Sequence, residues 1–311
     1  MILLWPDHQE YDKITITPGI DNQSVLGIFP GKKENHKQHT HINEDVIAQK
    51  RITNNRILSM LADGHHGKET AENIIACYPE IIEESLKKNS NIHQALFISL
   101  ILLNAKILRE KTLKNMYYHQ DNSASTFLTT IQTMSELYYM SVGDSYIYLI
   151  DKKWKAAHIN EQQINHDNPL YIGDVQDFSF QDSIYDILQQ INHEKNTSNE
   201  EEFKKKNNRI LNPFGSAYFD AHALKPVIHI GKYDIKNLKD KTMVLSTDGI
   251  EKERTGINIQ DLIYTNKELL NGNGSTHQQN LHIFTQRLLE TFQKKEGKLP
   301  SDNISLIIQS F

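Results

Sequence analysis

Leu58-Ser59-Met60-Leu61-Ala62-Asp63-Gly64-His65-His66-Gly67-Lys68-Glu69 carries a short apolar run into a carboxylate, a glycine, two histidines and a second glycine. Glu69-Thr70-Ala71-Glu72-Asn73-Ile74-Ile75 follows at helical spacing. The stretch reads as a strand that presents Asp63 in a turn, with glycines that let backbone come close to a ligand. A carboxylate at a strand end is a common way to hold a hard metal ion. Ordinary turns also use Asp and Gly, so the stretch alone leaves both readings open.

On the N-terminal side, residues 13–30 alternate around Ile14, Ile16, Val25, Gly27 and Phe29, with Pro18-Gly19 between them, which predicts a hairpin. A polar loop from Gly31 to His39 leads to Glu44-Asp45 at the opening of another strand. On the C-terminal side, helical spacing runs from Glu69 to about Ile82 and from Ile92 to about Lys114, with Leu96, Leu100, Leu103 and Ile107 on one face. Two successive helices with a short connection predict an antiparallel pair lying on a sheet. Strand formers then dominate at 125–131, 136–142 and 146–150, with a further short strand expected around Trp154. Residues 160–208 are mostly polar and read as a partly helical insertion over the surface. Strand character returns at 226–230 and at 242–247, where it ends in Asp248-Gly249. A helix is expected from about His277 to Lys295 with Leu281, Phe284, Leu288, Leu289 and Phe292 inward, and a last strand after Asp302-Asn303.

Composition narrows the classes. The 311 residues are 38% hydrophobic and carry a formal net charge of −5, enough for one large core or two small ones. Cys77 is the single cysteine and falls in an apolar pattern, which excludes a disulfide framework and a cysteine zinc site. A reducing, cytoplasmic compartment is expected. The balance of charge argues against nucleic acid as the main partner. The run Ala95–Leu103 soon reaches Asn104, Lys106 and Arg109, so it reads as a core helix and not a membrane span.

Four acidic sites share one arrangement: Glu44-Asp45, Asp63-Gly64, Asp248-Gly249 and Asp302-Asn303 each adjoin an apolar strand. Strands of one sheet can bring such ends together. Converging carboxylates repel unless they are protonated or neutralised by cations. Oxygen donors suit Mg²⁺ or Mn²⁺ better than zinc.

In order and spacing these residues resemble the metal-dependent protein phosphatases of the PPM or PP2C family. Asn43-Glu44-Asp45 is similar to the family's opening acidic pair, and Ala62-Asp63-Gly64-His65-His66-Gly67 to its aspartate-glycine-histidine-glycine-glycine signature. Ser125-Thr126-Phe127-Leu128 resembles its glycine/serine-threonine strand, and Val142-Gly143-Asp144-Ser145 its valine-glycine-aspartate-serine turn. Leu245-Ser246-Thr247-Asp248-Gly249 and Ser301-Asp302-Asn303-Ile304 resemble its two closing motifs. The resemblance spans roughly Ile14 to Phe311.

It implies an α+β fold, a four-layer αββα sandwich of two antiparallel β-sheets flanked by helix pairs, as a single domain with residues 160–208 as a flap over the site. It implies two Mn²⁺ or Mg²⁺ ions, with Asp63 bridging them, the Gly64 carbonyl helping to hold one, and Asp248 and Asp302 holding the other. Glu44 and Asp45 would ligate directly or through waters, and Asp144 matches the position of a third ion. The chemistry implied is hydrolysis of phosphoserine or phosphothreonine in a phosphoprotein substrate by direct attack of a metal-activated water. His65 would protonate the leaving oxygen. A monomer with no nucleic-acid or membrane partner is expected. A phosphatase-like binding protein without turnover, or a small-molecule phosphatase, are the alternatives.

Departures from the family pattern bear on that choice. The usual arginine before the acidic pair is absent and Gln38-His39-Thr40-His41 stands there; His39 or His41 as a weaker, pH-dependent donor, Arg51 reaching in, or no clamp at all are the alternatives. His66 replaces a glycine, and Tyr146 an arginine.

Overall fold

The computed structural model describes residues 1–4, 13–29, 43–113, 123–160, 162, 164–165, 168–169, 171–173, 217–219, 226–250, 259–270, 276–294 and 302–311. The first half of the chain gives β1 (Ile2–Leu4), β2 (Thr15–Pro18), β3 (Ser24–Phe29), β4 (Val46–Ile52), β5 (Arg56–Ala62) and β6 (Gly64–His65). Helices α1 (Glu69–Lys88) and α2 (Ile92–Leu113) follow, then β7 (Ala124–Ser125), β8 (Phe127–Gln132), β9 (Glu136–Val142) and β10 (Tyr146–Ile150). Next come β11 (Ala156–His158), β12 (Ile164–Asn165), β13 (Asn168–Pro169), β14 (Ala217–Phe219) and β15 (Pro226–Asp234). The chain closes with α3 (Ile235–Leu238), β16 (Thr242–Ser246), α4 (Ile259–Thr265), α5 (Lys267–Leu270), α6 (Thr276–Lys294) and β17 (Ile304–Ser310).

Thirteen of these strands form two antiparallel sheets, ordered β1-β4-β5-β8-β9-β15-β14 and β11-β10-β16-β17-β3-β2, and β6-β7 and β12-β13 pair separately. Period-two alternation sends each strand's side chains to two different cores. From β5, Leu58, Met60 and Ala62 face α1 and α2, whereas Leu61 faces the opposite sheet. From β17, Ile304, Leu306 and Ile308 face α6, whereas Ile307 points between the sheets. Three apolar layers therefore separate four layers of structure, and the αββα sandwich is the observed fold.

The helices form for local reasons. In α1, Ala71, Ile74, Ile75, Tyr78 and Ile82 recur every three or four residues and are buried. Glu69 and Glu72 open the helix and Lys87 and Lys88 end it, matching the helix dipole. It runs one and a half turns past the expected end because Ser85 and Leu86 still meet the core. In α2 the expected face of Leu96, Leu100, Leu103 and Ile107 is buried, each side chain contributing roughly 1.5–3 kcal/mol. The span Ile92–Lys111 is long and apolar enough to cross a membrane by length and composition, but its inner face lies on the first sheet.

Two expectations change and one strand is added. The strand expected around Trp154 begins at Ala156 instead. Trp154 has φ 65°, a left-handed backbone that cannot continue a strand, inside a turn closed by Trp154 N–H donating to the Asp151 carbonyl at 2.9 Å. The N-terminal Ile2–Leu4, too short to signal on its own, pairs at the sheet edge with Ile47–Gln49. Arg51 lies six residues beyond Asp45 along β4, roughly 20 Å at a strand's rise. It is exposed at the far end of the sandwich, which removes it as a phosphate clamp. His39, His41 and most of 160–208, including its expected helix, lie outside the described residues.

Candidate metal centre

Strand register brings the acidic sites together. Val46 pairs with Ala62 across β4 and β5, so Asp45 and Asp63 leave the same end of neighbouring strands. Leu61 pairs with Leu128, and beyond that pair Thr126 N–H donates to the Asp63 carbonyl at 3.0 Å. Phe127 pairs with Val142, which leads through Gly143 (φ 96°) to Asp144. In the second sheet Ser246 pairs with both Tyr146 and Leu306, so Asp144, Asp248 and Asp302 emerge at the matching end. One end of the sandwich thus collects carboxylates from separate strands of both sheets.

Backbone contacts sew the two sheets together there. Glu44 N–H donates to Asn303 Oδ1 at 3.0 Å, joining the opening acidic pair to the closing motif. Asp45 N–H donates to Asn43 Oδ1 at 2.9 Å, and Asn303 N–H to Asp302 Oδ1 at 2.9 Å. The glycines are where chains touch. A Cβ on Gly64 would lie 2.5 Å from the Glu44 carbonyl oxygen, and one on Gly249 only 1.9 Å from that of Asn303. Asp63-Gly64 is thus pressed on Glu44, and Asp248-Gly249 on Asp302-Asn303.

The electrostatics follow from that convergence. Glu44 is fully buried and Asp45, Asp144 and Asp248 nearly so. Asp63 keeps some accessible surface although protein surrounds it closely. Its carboxyl is held well above the usual carboxylate range, first by burial and then by the fields of Asp45, Asp248, Asp302 and Asp144 in decreasing order. Among the described residues no three His, Cys, Asp or Glu side chains close on one point as a finished ligand shell. The carboxylates act on one another through their fields. The donor set is all oxygen, which fits Mn²⁺ or Mg²⁺. Asp144 exerts the weakest of the four fields at Asp63.

His65 lies in β6, opposite Ala124 of β7, and is partly exposed beside these acids. His66 is exposed with φ 59°. That left-handed backbone accounts for the family's glycine, and His is among the side chains that tolerate it. The His65 ring packs against His66 at 3.9 Å between centroids and stacks on Tyr171 at 4.6 Å. Tyr146 stacks on Tyr148, lies 5.0 Å between ring centroids from His158 and packs against the helix-side core of its sheet.

Sequence reasoning missed several residues at this end. Gln162 Nε2 donates to the Asp144 carbonyl at 2.8 Å, and Asn160 Nδ2 to the Ser145 carbonyl at 2.8 Å. Both belong to the start of the polar 160–208 segment, where nothing local distinguishes an anchoring amide from a solvated one.

No family model matches the chain and no curated protein matches it by sequence. Solved structures do. A bacterial serine phosphatase superposes with a TM-score of 0.52 at 15% identity, covering 92% of this chain and 96% of that one. The S. agalactiae serine/threonine phosphatase gives 0.51 at 13% identity, over 93% of this chain and 100% of that one. A C. elegans sex determining protein gives 0.52 at 13% identity, over 98% of this chain and 66% of that one. At such identities the likeness establishes the fold: an α+β sandwich of the PP2C type, as the motifs led us to expect.

Proposed function

We propose that this chain is a Mn²⁺- or Mg²⁺-dependent phosphatase that hydrolyses phosphoserine or phosphothreonine in proteins. The observation that carries the reading is the meeting of Asp45, Asp63, Asp144, Asp248 and Asp302 at one end of a PP2C-type sandwich, where burial and mutual repulsion hold Asp63 ready to share its charge with cations. When bound, two divalent ions supply an activated water and neutralise charge growing on the phosphoryl oxygens. Asp63, at the centre, is the carboxylate both ions would share, with the Gly64 carbonyl, Asp248 and Asp302 completing their shells. Glu44 and Asp45 would ligate directly or through waters from the β4 side, and Asp144 would be the ligand of a further ion. His65, at the rim, delivers a proton to the departing serine or threonine oxygen, which is too basic to leave unaided.

The exclusion of Arg51 from the site favours a second reading: a metal-loaded phosphopeptide-binding protein with little turnover. The test is phosphate release with and without Mn²⁺ from a phosphoserine peptide, an aryl phosphate and a nucleotide. Asp63→Asn and Asp248→Asn serve as controls. Mn²⁺-dependent release from the peptide, abolished in both variants, is expected. Release from nucleotides alone would indicate a small-molecule phosphatase. No release from any substrate would overturn the enzymatic reading.

A further inference from the structure

The segment 171–173 is fastened with more care than a surface loop needs. Ile172 and Ser125 exchange both backbone hydrogen bonds, at 2.8 and 3.2 Å. Gly173 N–H donates to Asn104 Oδ1 at 3.0 Å. The Gly173 carbonyl accepts from Lys111 Nζ at 2.5 Å, and the same buried ammonium donates to the Ser123 carbonyl. Gly173 itself has φ 73°, and a Cβ there would meet Ile107 at 2.7 Å. A lysine taken out of water to hold two carbonyls is an expensive anchor, because the charge must be repaid by its hydrogen bonds.

The anchor registers this segment against β7, and β7 in turn pairs with β6, which carries His65. The product of that registration is the Tyr171–His65 stack, with ring centroids 4.6 Å apart and planes only 12° from parallel. This separation is within the range of favourable ring contacts. His66 meets the same imidazole edge-on.

We propose that Tyr171 is a positioning residue for His65: its ring fixes the imidazole plane so that the ring nitrogen faces the leaving oxygen, and Lys111 and Asn104 hold Tyr171 in place. The inference rests on the proposed function. It extends it to a residue that lies outside every motif of the site. A half-exposed imidazole without the stack would sample several rotamers on the picosecond to nanosecond scale. Misplacing a proton donor by about 1 Å can lower turnover by roughly 100-fold.

The test uses leaving groups of different basicity. An alkoxide leaving from phosphoserine needs a proton, whereas an aryl oxide leaves far more readily without one. Tyr171→Leu, which keeps bulk without a ring, should lower kcat on the phosphoserine peptide by about 10- to 100-fold with little change in KM. Its kcat on the aryl phosphate should fall much less, and Tyr171→Phe should restore both. Independently of activity, the His65 ring protons of the Mg²⁺-loaded protein should be shifted upfield by the tyrosine ring current in NMR spectra. Tyr171→Leu should abolish that shift and Tyr171→Phe keep it. Equal losses on both esters, or parent-like kinetics in Tyr171→Leu, would overturn the positioning role. An unshifted His65 in the parent would overturn the stack itself. Absence of Mn²⁺-dependent turnover in the parent would instead fail the enzymatic reading, whatever the ring shift shows.

Discussion

Replacing Asp63 by asparagine keeps the shape of the side chain and removes one negative charge from the middle of the acidic end. Asp45, Asp248, Asp302 and Asp144 all raise the proton affinity of that group, and burial raises it most. Two unit charges about 8 Å apart repel by roughly 2 kcal/mol at an effective dielectric constant near 20. Several such neighbours act together, partly screened by salt, and the asparagine also escapes the desolvation of a carboxylate. In metal-free protein at neutral pH, Asp63→Asn should therefore raise stability by about 2 kcal/mol, or Tm by roughly 3 °C for a chain of this length.

The direction with pH follows from the same shift. A carboxyl whose folded pKa lies above its unfolded one binds more protons in the fold. The metal-free parent should lose stability as pH rises from the ordinary carboxylate range through the raised value, and the variant should not. Cations should reverse the ranking. Mn²⁺ at about 100 times its dissociation constant would stabilise the parent by roughly 2.7 kcal/mol, while the variant, lacking the proposed shared ligand, should gain little. Thermal unfolding of both proteins, with chelator and with Mn²⁺, measures all four states. A variant less stable than its parent in chelator, with a parent that ignores Mn²⁺, would refute the reasoning.

Two further predictions follow from particular contacts. Gly249→Ala places a methyl 1.9 Å from the Asn303 carbonyl oxygen, so the closing motif must move away from Asp248. A loss of about 1–3 kcal/mol in chemical denaturation and weaker Mn²⁺ binding by calorimetry are expected. His229 is buried between the sheets beside the Tyr139 hydroxyl, at 3.3 Å, and burial pushes its pKa down to about 4. It stabilises the fold while neutral; that contribution is whole above the unfolded value of about 6.5 and lost as pH falls through about 4. In a series of urea midpoints against pH, His229→Gln should flatten the decline over that window relative to the parent.

Much of this was legible in the sequence because the informative signals are local. Apolar spacing within α1, α2 and α6 marked the helices and their buried faces. Each motif carried its own acid beside its own strand, so the acids could be named before any pairing was known. Pairing itself is not local. Only the registers Val46–Ala62, Phe127–Val142 and Ser246–Leu306 show that five separate turns lie at one end of the sandwich. The same limit explains the misses. Ile2–Leu4 is a strand only because β4 offers it an edge, and Arg51 is near Asp45 in number but a strand's length away in space. Asn104 and Lys111 belong to a helix that looks unremarkable until they fasten Gly173, and Tyr171 to a loop that β7 brings beside His65. Trp154 misled for a different reason: a bulky aromatic suggests a strand, yet its left-handed backbone makes a turn.

The central claim is that the acidic end holds two divalent ions across a shared Asp63 carboxylate. Electron paramagnetic resonance of the Mn²⁺-titrated protein tests it directly, because two ions bridged by one carboxylate are exchange-coupled. The account predicts a coupled two-ion spectrum in the parent that collapses to a single-ion signal in Asp63→Asn. An isolated-ion spectrum of equal intensity in both proteins would contradict it.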